Sequence, residues 1–118
     1  MNEFEDLEDW LEKLQTENIP IIVEGESDKK ALEKLGVRGV MALSRKPLDS
    51  FVEKLKAKEI ILLLDYDPEG KKLTKELVKI LEHNDIKHNL EYWKKLPKFK
   101  LAHIEGIFSR FNKLKNEK

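Results

Sequence analysis

The chain has 118 residues, 39% of them charged, with Lys plus Arg equal to Asp plus Glu at 23 each and no cysteine. This length fits one domain, 1–118, with room for one core. The absence of Cys excludes disulfides, thiolate catalysis and Cys-ligated zinc. Gln15 is the sole glutamine and most charges are Lys or Glu, a bias found in thermophile proteomes.

Residues 3–16 place Phe4, Leu7, Trp10, Leu11 and Leu14 at helical spacing, which predicts an amphipathic N-terminal helix. This acidic start lacks the basic-then-apolar layout of a secretory signal. No apolar run approaches the ~18–20 residues of a membrane span. The expectation is a cytoplasmic protein with no membrane partner. Ile21-Ile22-Val23 then reads as a buried strand ending in Glu24-Gly25. Ser27 is placed to cap a helix over about 28–35, closed by Gly36. Residues 39–43 predict a second strand. Pro47 or Asp49 opens a helix carrying Leu48, Phe51, Val52 and Leu55.

Ile60 to Leu64 is the clearest strand signal, and Pro68 behind Asp67 predicts a helix start. Ile86 to Tyr92 predicts a fourth strand at a sheet edge. Pro97 breaks the chain, and residues 101–115 predict a last helix. Strands alternating with helices describe an α/β fold: about four mainly parallel strands with helices on both faces. Ligands bind such sheets at the carboxyl ends of the strands.

Two loops at that edge begin with acids. Asp65 and Asp67 are two apart, so strand geometry can turn both carboxylates toward one ion. Hard divalent cations take carboxylate, phosphate and water oxygens. The alternative account makes Asp67 a helix N-cap and Asp65 a solvated strand end. Glu24 lies near Asp65 if the first and third strands are neighbours; otherwise it is an ordinary loop acid. Asp28 either joins the site or serves the dipole at a helix start. Lys29, Arg45, Lys46 and Lys71 surround these acids as candidates to neutralise a phosphate. The tract YWKKLPKFK offers Trp93, Lys94, Lys95 and Lys98 for base stacking and phosphate contact. The alternative there is a connector with buried aromatics and solvated lysines. The histidines His83, His88 and His103 lack zinc spacing, and no Gly-rich nucleotide fingerprint is present.

Val23-Glu24-Gly25-Glu26-Ser27-Asp28, followed by Leu64-Asp65-Tyr66-Asp67-Pro68-Glu69-Gly70, resembles the Toprim signature. Toprim domains occur in topoisomerases, bacterial primases, overcoming-lysogenization-type nucleases, recombination proteins and ribonucleases that mature ribosomal RNA. The resemblance covers about residues 20–92. It implies a three-layer Rossmann-like fold, extended here by the N- and C-terminal helices. It implies magnesium, or manganese in its place, on Asp65 and Asp67. Glu24 takes a general acid or base role or a metal contact, and Asp28 matches an acid four residues after that Glu. The implied function is metal-dependent phosphodiester cleavage on RNA or DNA by a stand-alone small Toprim protein, with a non-catalytic nucleic-acid-binding module as the alternative. Ala102-His103-Ile104-Glu105-Gly106 resembles a late Glu-His element of the maturing ribonucleases in a different residue order. The alternative account makes His103 a helix-surface residue.

Overall fold

The computed structural model describes residues 2–117. Helix α1 (Glu3–Gln15) is capped by Asn2, whose side chain accepts the Glu5 N–H at 2.8 Å. Strand β1 (Ile21–Val23) and helix α2 (Glu26–Lys34) follow, then β2 (Val40–Ala42) and α3 (Leu48–Glu53). Next come β3 (Glu59–Leu62), α4 (Pro68–His83), β4 (Lys87–Asn89) and the single-turn α5 (Glu91–Lys94). Two 3₁₀ turns, Leu96–Phe99 and Ile104–Gly106, lead to α6 (Ile107–Glu117).

The four strands form one parallel sheet in the order β2-β1-β3-β4. Successive residues of β1 and β3 point to opposite faces, and both faces are covered, so every residue from Ile60 to Leu64 is buried. Ile21, Val23, Ile61 and Leu63 pack with α1, α2 and α6. Ile22, Ile60, Leu62 and Leu64 pack with α3 and α4. The N-terminal helix is thus core: Phe4, Leu7, Trp10, Leu11 and Leu14 are all buried, and Phe4 meets Phe111 of α6 with ring centroids 5.4 Å apart.

Strand β3 ends at Leu62 rather than at Leu64 as the apolar run predicts, and three further boundaries differ from the sequence reading. Helix α2 begins at Glu26 rather than about residue 28, and Ser27 does not cap it. Asp28 reaches back instead, its Oδ2 accepting the Gly25 N–H at 3.0 Å. Strand β4 stops at Asn89, because the Asn89 side chain accepts the Glu91 N–H at 2.8 Å and turns the chain into α5. Tyr92 is therefore a helical core residue whose hydroxyl donates to Glu17. Residues 101–106 are not the start of an α-helix. Lys100 takes a left-handed conformation (φ 57°), and the next residues direct backbone groups to the third-strand loop. Tyr66 N–H donates to Ala102 O at 2.7 Å, and Ile104 N–H donates to Asp65 Oδ1 at 2.8 Å.

Candidate metal centre

The strand order makes β1 and β3 central neighbours, with Ile22 opposite Leu62. Two residues further along that register, Glu24 falls beside Leu64, one position before Asp65. The contact is direct: Asp65 N–H donates to Glu24 Oε1 at 3.2 Å. The two acidic loops, some forty residues apart in sequence, therefore meet at the carboxyl edge of the sheet.

Helix α4 drives its first turn into the same corner. Asp67 caps it, its Oδ1 accepting the Gly70 N–H at 2.7 Å, and Pro68 occupies the first helical position. A Cβ on Gly70 would fall 2.1 Å from Asp65 O and 2.9 Å from Glu24 Oε1. Only glycine lets the helix approach so closely, and this is the physical reason for the Gly three residues after Asp67.

Three ligand-bearing side chains converge here: one donor atom each from Asp65, Asp67 and His103 lies within 4.8 Å of the others. Each aspartate is held by a backbone N–H on its Oδ1, from Ile104 and Gly70 respectively. His103 Nε2 lies 3.1 Å from Asp67 Oδ2. Glu24 stands beside this set, bound to the backbone of its middle. Asp28, 7% exposed, joins the acids from the α2 side.

Burial is the main force on three of these acids. It raises the Glu24 carboxyl above its ordinary pKa, opposed by the Asp65 N–H and reinforced by the charges of Asp65, Asp67 and Asp28. It raises Asp28, opposed by the Gly25 N–H and reinforced by Asp65 and Glu105. It raises Asp65, opposed by the Ile104 N–H and by His103 and reinforced by Asp67 and Glu105. Among the described residues no Lys or Arg forms an ion pair with any of them, and the imidazole of His103 lies beside Asp67. Partly buried like charges without a neutralising base are costly. A donor set of two carboxylates and an imidazole fits a divalent cation that would relieve that cost.

A cavity of about 790 Å³ opens over Glu24 and Asp65. Seven carboxylates line it: Glu24, Glu26, Asp28, Asp65, Glu69, Glu76 and Glu105. Arg45 and Lys46 line its far wall, carried on a loop where Ser44 (φ 49°) and Arg45 (φ 62°) are both left-handed. The other nominated bases lie elsewhere. Lys29 is half-buried on α2 outside this cavity. Lys71 sits over the Tyr66 ring, 4.4 Å from its centroid. Lys94 lines a separate depression with Glu59 and His88. Lys95 is exposed, and Lys98 pairs with Asp6 at 3.2 Å. Trp93 is half-buried: its Nε1–H donates to Asp65 O at 3.3 Å and its ring packs on Tyr66 at 4.7 Å. It braces the Asp65 loop from behind.

The residues that sequence reasoning undervalued are those of 102–106. His103 offers a nitrogen to the centre, and Ile104 contributes a backbone N–H that no side-chain pattern can announce. The His-Ile-Glu order was the available signal, and helical periodicity through Leu101 and Ile104 obscured it.

A Toprim domain model matches residues 19–93. A UPF0292 protein of Methanocaldococcus jannaschii is 37% identical over 109 residues, spanning 86% of this chain and 84% of that one. A UPF0292 protein of Thermococcus kodakarensis is 35% identical over 99 residues, spanning 82% and 74%. The relatives are thermophile-associated, in line with the Lys and Glu bias. A solved structure, a putative protein from Aquifex aeolicus, superimposes with a TM-score of 0.78 at 30% identity, covering 84% of this chain and 95% of that one. No helix among the described residues is long and apolar enough to cross a membrane.

Proposed function

The chain belongs to the Toprim-domain family and to the UPF0292 proteins, and on that premise we propose that it cleaves phosphodiester bonds in RNA or DNA with a divalent cation. One observation supports this reading above the others: the buried Asp28 and the half-buried Glu24 and Asp65 share one corner with Asp67 and have no Lys or Arg ion-pair partner among the described residues. Packing alone gives no reason to gather these carboxylates. Asp65 and Asp67 would hold magnesium or manganese, with His103 as a third donor. Bound there, the cation supplies Lewis-acid polarisation of the phosphoryl oxygen and stabilises the leaving oxygen.

The chain's own groups handle orientation and the proton. Ile104 and Gly70 N–H each fix one oxygen of an aspartate, and the second oxygen of Asp67 lies 3.1 Å from His103 Nε2. Glu24 Oε1 is held by Asp65 N–H, which leaves Oε2 as the base. In hydrolysis the water oxygen forms a bond to phosphorus, one P–O ester bond breaks, and the water proton passes by way of Glu24 to the leaving oxygen. A carboxyl whose pKa is raised by burial suits that exchange.

The test is cleavage of labelled single-stranded RNA, structured RNA and duplex DNA with magnesium or manganese. Cation-dependent products from the wild type, lost in Asp65→Asn and in Glu24→Gln, are expected. Tight binding with no cleavage in either cation would overturn the nuclease reading in favour of a binding module.

A further inference from the structure

Next to the acidic corner lies a second concavity of opposite character. It is a shallow, open depression of about 450 Å³, lined in part by Lys100, His103, Gly106, Ser109, Arg110 and Lys113. None of its lining residues is a carboxylate, in a chain with as many acids as bases. The cavity over Glu24 sets two bases against seven carboxylates. A polyanion is repelled by that cavity until a cation occupies it, whereas the groove attracts one unaided.

Local structure builds the groove. Ser109, Arg110 and Lys113 of α6, with Gly106 ahead of them, are spaced three, four and seven apart, so they share one side of the helix. A Cβ at Gly106 would meet nothing within 4 Å, which leaves the floor open. Arg110 is already engaged: its guanidinium donates to Glu3 and to Phe99 O, so it forms wall rather than free charge. Lys100 and Lys113 are exposed and have no ion-pair partner among the described residues. The left-handed backbone at Lys100 sets where its side chain leaves the loop. His103 lines this groove and also lies 3.1 Å from Asp67 Oδ2, so the groove opens onto the candidate metal centre.

We propose that this C-terminal groove, outside the family-matched residues, carries the phosphate backbone of the nucleic-acid strand into the metal centre, with Lys100 and Lys113 as its phosphate contacts. This rests on the function proposed above. The ligand chemistry is the phosphodiester backbone, shared by RNA and DNA.

The experiment is fluorescence anisotropy of labelled single-stranded RNA and DNA of one sequence, in EDTA so that nothing is cut, over a range of salt. Wild-type protein is expected to bind both. The pair Lys100→Glu and Lys113→Glu should weaken binding about tenfold or more, and Lys100→Gln with Lys113→Gln should lower the slope of log affinity against log salt by about 1.4. The thermal shift on adding magnesium should stay as in the wild type, which shows the fold and the acidic corner intact. Loss must appear on RNA and DNA alike; loss on one alone overturns the backbone assignment. Unchanged binding in the lysine variants, with binding abolished instead by Arg45→Glu and Lys46→Glu, overturns the groove and leaves the proposed function standing. Wild-type protein that binds neither strand at low salt overturns both.

Discussion

Replacing Gly70 by Ala tests the architecture of the acidic corner with one methyl group. The added Cβ would lie 2.1 Å from Asp65 O, and real Cβ atoms essentially never come within 3.0 Å of another heavy atom. The obstacle is backbone, so no rotamer change removes it. Helix α4 has to withdraw from the end of β3 by about 0.9 Å. Overpacking of this kind costs about 1–3 kcal/mol. Withdrawal also stretches the 2.7 Å bond from Gly70 N–H to Asp67 Oδ1, worth about 1 kcal/mol as a helix cap. Ala gains up to ~1 kcal/mol over Gly in helix propensity, which offsets the cap term, so the net loss should be about 1–3 kcal/mol. Guanidinium unfolding at 25 °C reads this directly. Gly106→Ala is the control, since its Cβ meets nothing within 4 Å, and it should stay within about 0.5 kcal/mol of wild type. Gly70→Ala should also lose most of any stabilisation by magnesium, because Asp65 and Asp67 no longer face each other as before. If Gly70→Ala unfolds like the control and keeps its response to magnesium, the close approach of α4 is not what builds the site.

In wild-type protein, magnesium at about 100 times its Kd should add about 2.7 kcal/mol to unfolding free energy, and Asp65→Asn should abolish that gain. Without metal, the raised pKa values of Glu24, Asp28 and Asp65 mean that the folded state holds protons more tightly than the unfolded chain. Their contribution is then fully present below the ordinary carboxylate range and is lost as pH rises through the raised values. Unfolding in EDTA across this range should show wild type losing ground to Asp65→Asn as pH rises; a pH-independent difference would count against the repulsion argument. His103→Ala should weaken manganese binding by about 10-fold and magnesium binding less, because imidazole suits manganese better than the harder magnesium ion; calorimetric titration of both ions checks this, and equal losses would remove His103 from the donor set. Removal of residues 1–17 deletes Phe4, Leu7, Trp10, Leu11 and Leu14 from the core. At about 1.5–3 kcal/mol each this matches the whole stability of a small domain, so the truncated chain should lack the cooperative unfolding transition in circular dichroism, and a retained one would show α1 to be dispensable.

Where periodicity and packing agree, the fold was legible. Ile60 to Leu64 reads as a central strand because five consecutive apolar residues need cover on both faces, and both faces are covered. Phe4, Leu7, Trp10 and Leu14 read as one helical face and bury as one. The misreadings occur where a polar side chain intervenes. Asn89 ends β4 by accepting a backbone N–H from Glu91, and Asp28 starts α2 early by accepting one from Gly25. Such local side-chain bonds compete with the strand or helix that the apolar pattern proposes. Lys94, Lys95 and Lys98 stand out in sequence as a basic tract, yet the single turn of α5 and the 3₁₀ turn after it scatter them, and Lys98 spends its charge on Asp6.

The acidic corner divides in the same way. Asp65, Asp67 and Gly70 were legible because their spacing is local, and Glu24 because the parallel order puts two loop starts side by side. The orientation of the carboxylates was not, because it comes from residues 102–104 through a carbonyl and an N–H that every amino acid possesses. Tyr66 N–H on Ala102 O, Ile104 N–H on Asp65 and His103 on Asp67 tie the tail to both aspartates. The Ile104 N–H given to Asp65 is lost to a regular helix through 101–106. The matched segment 19–93 thus contains the acids, while the tail beyond it holds them in place and also lines the acid-free groove. A substitution in 101–106 that restored regular helix should therefore leave the core packed, loosen Asp65 and Asp67 and misplace Lys100 in a single step.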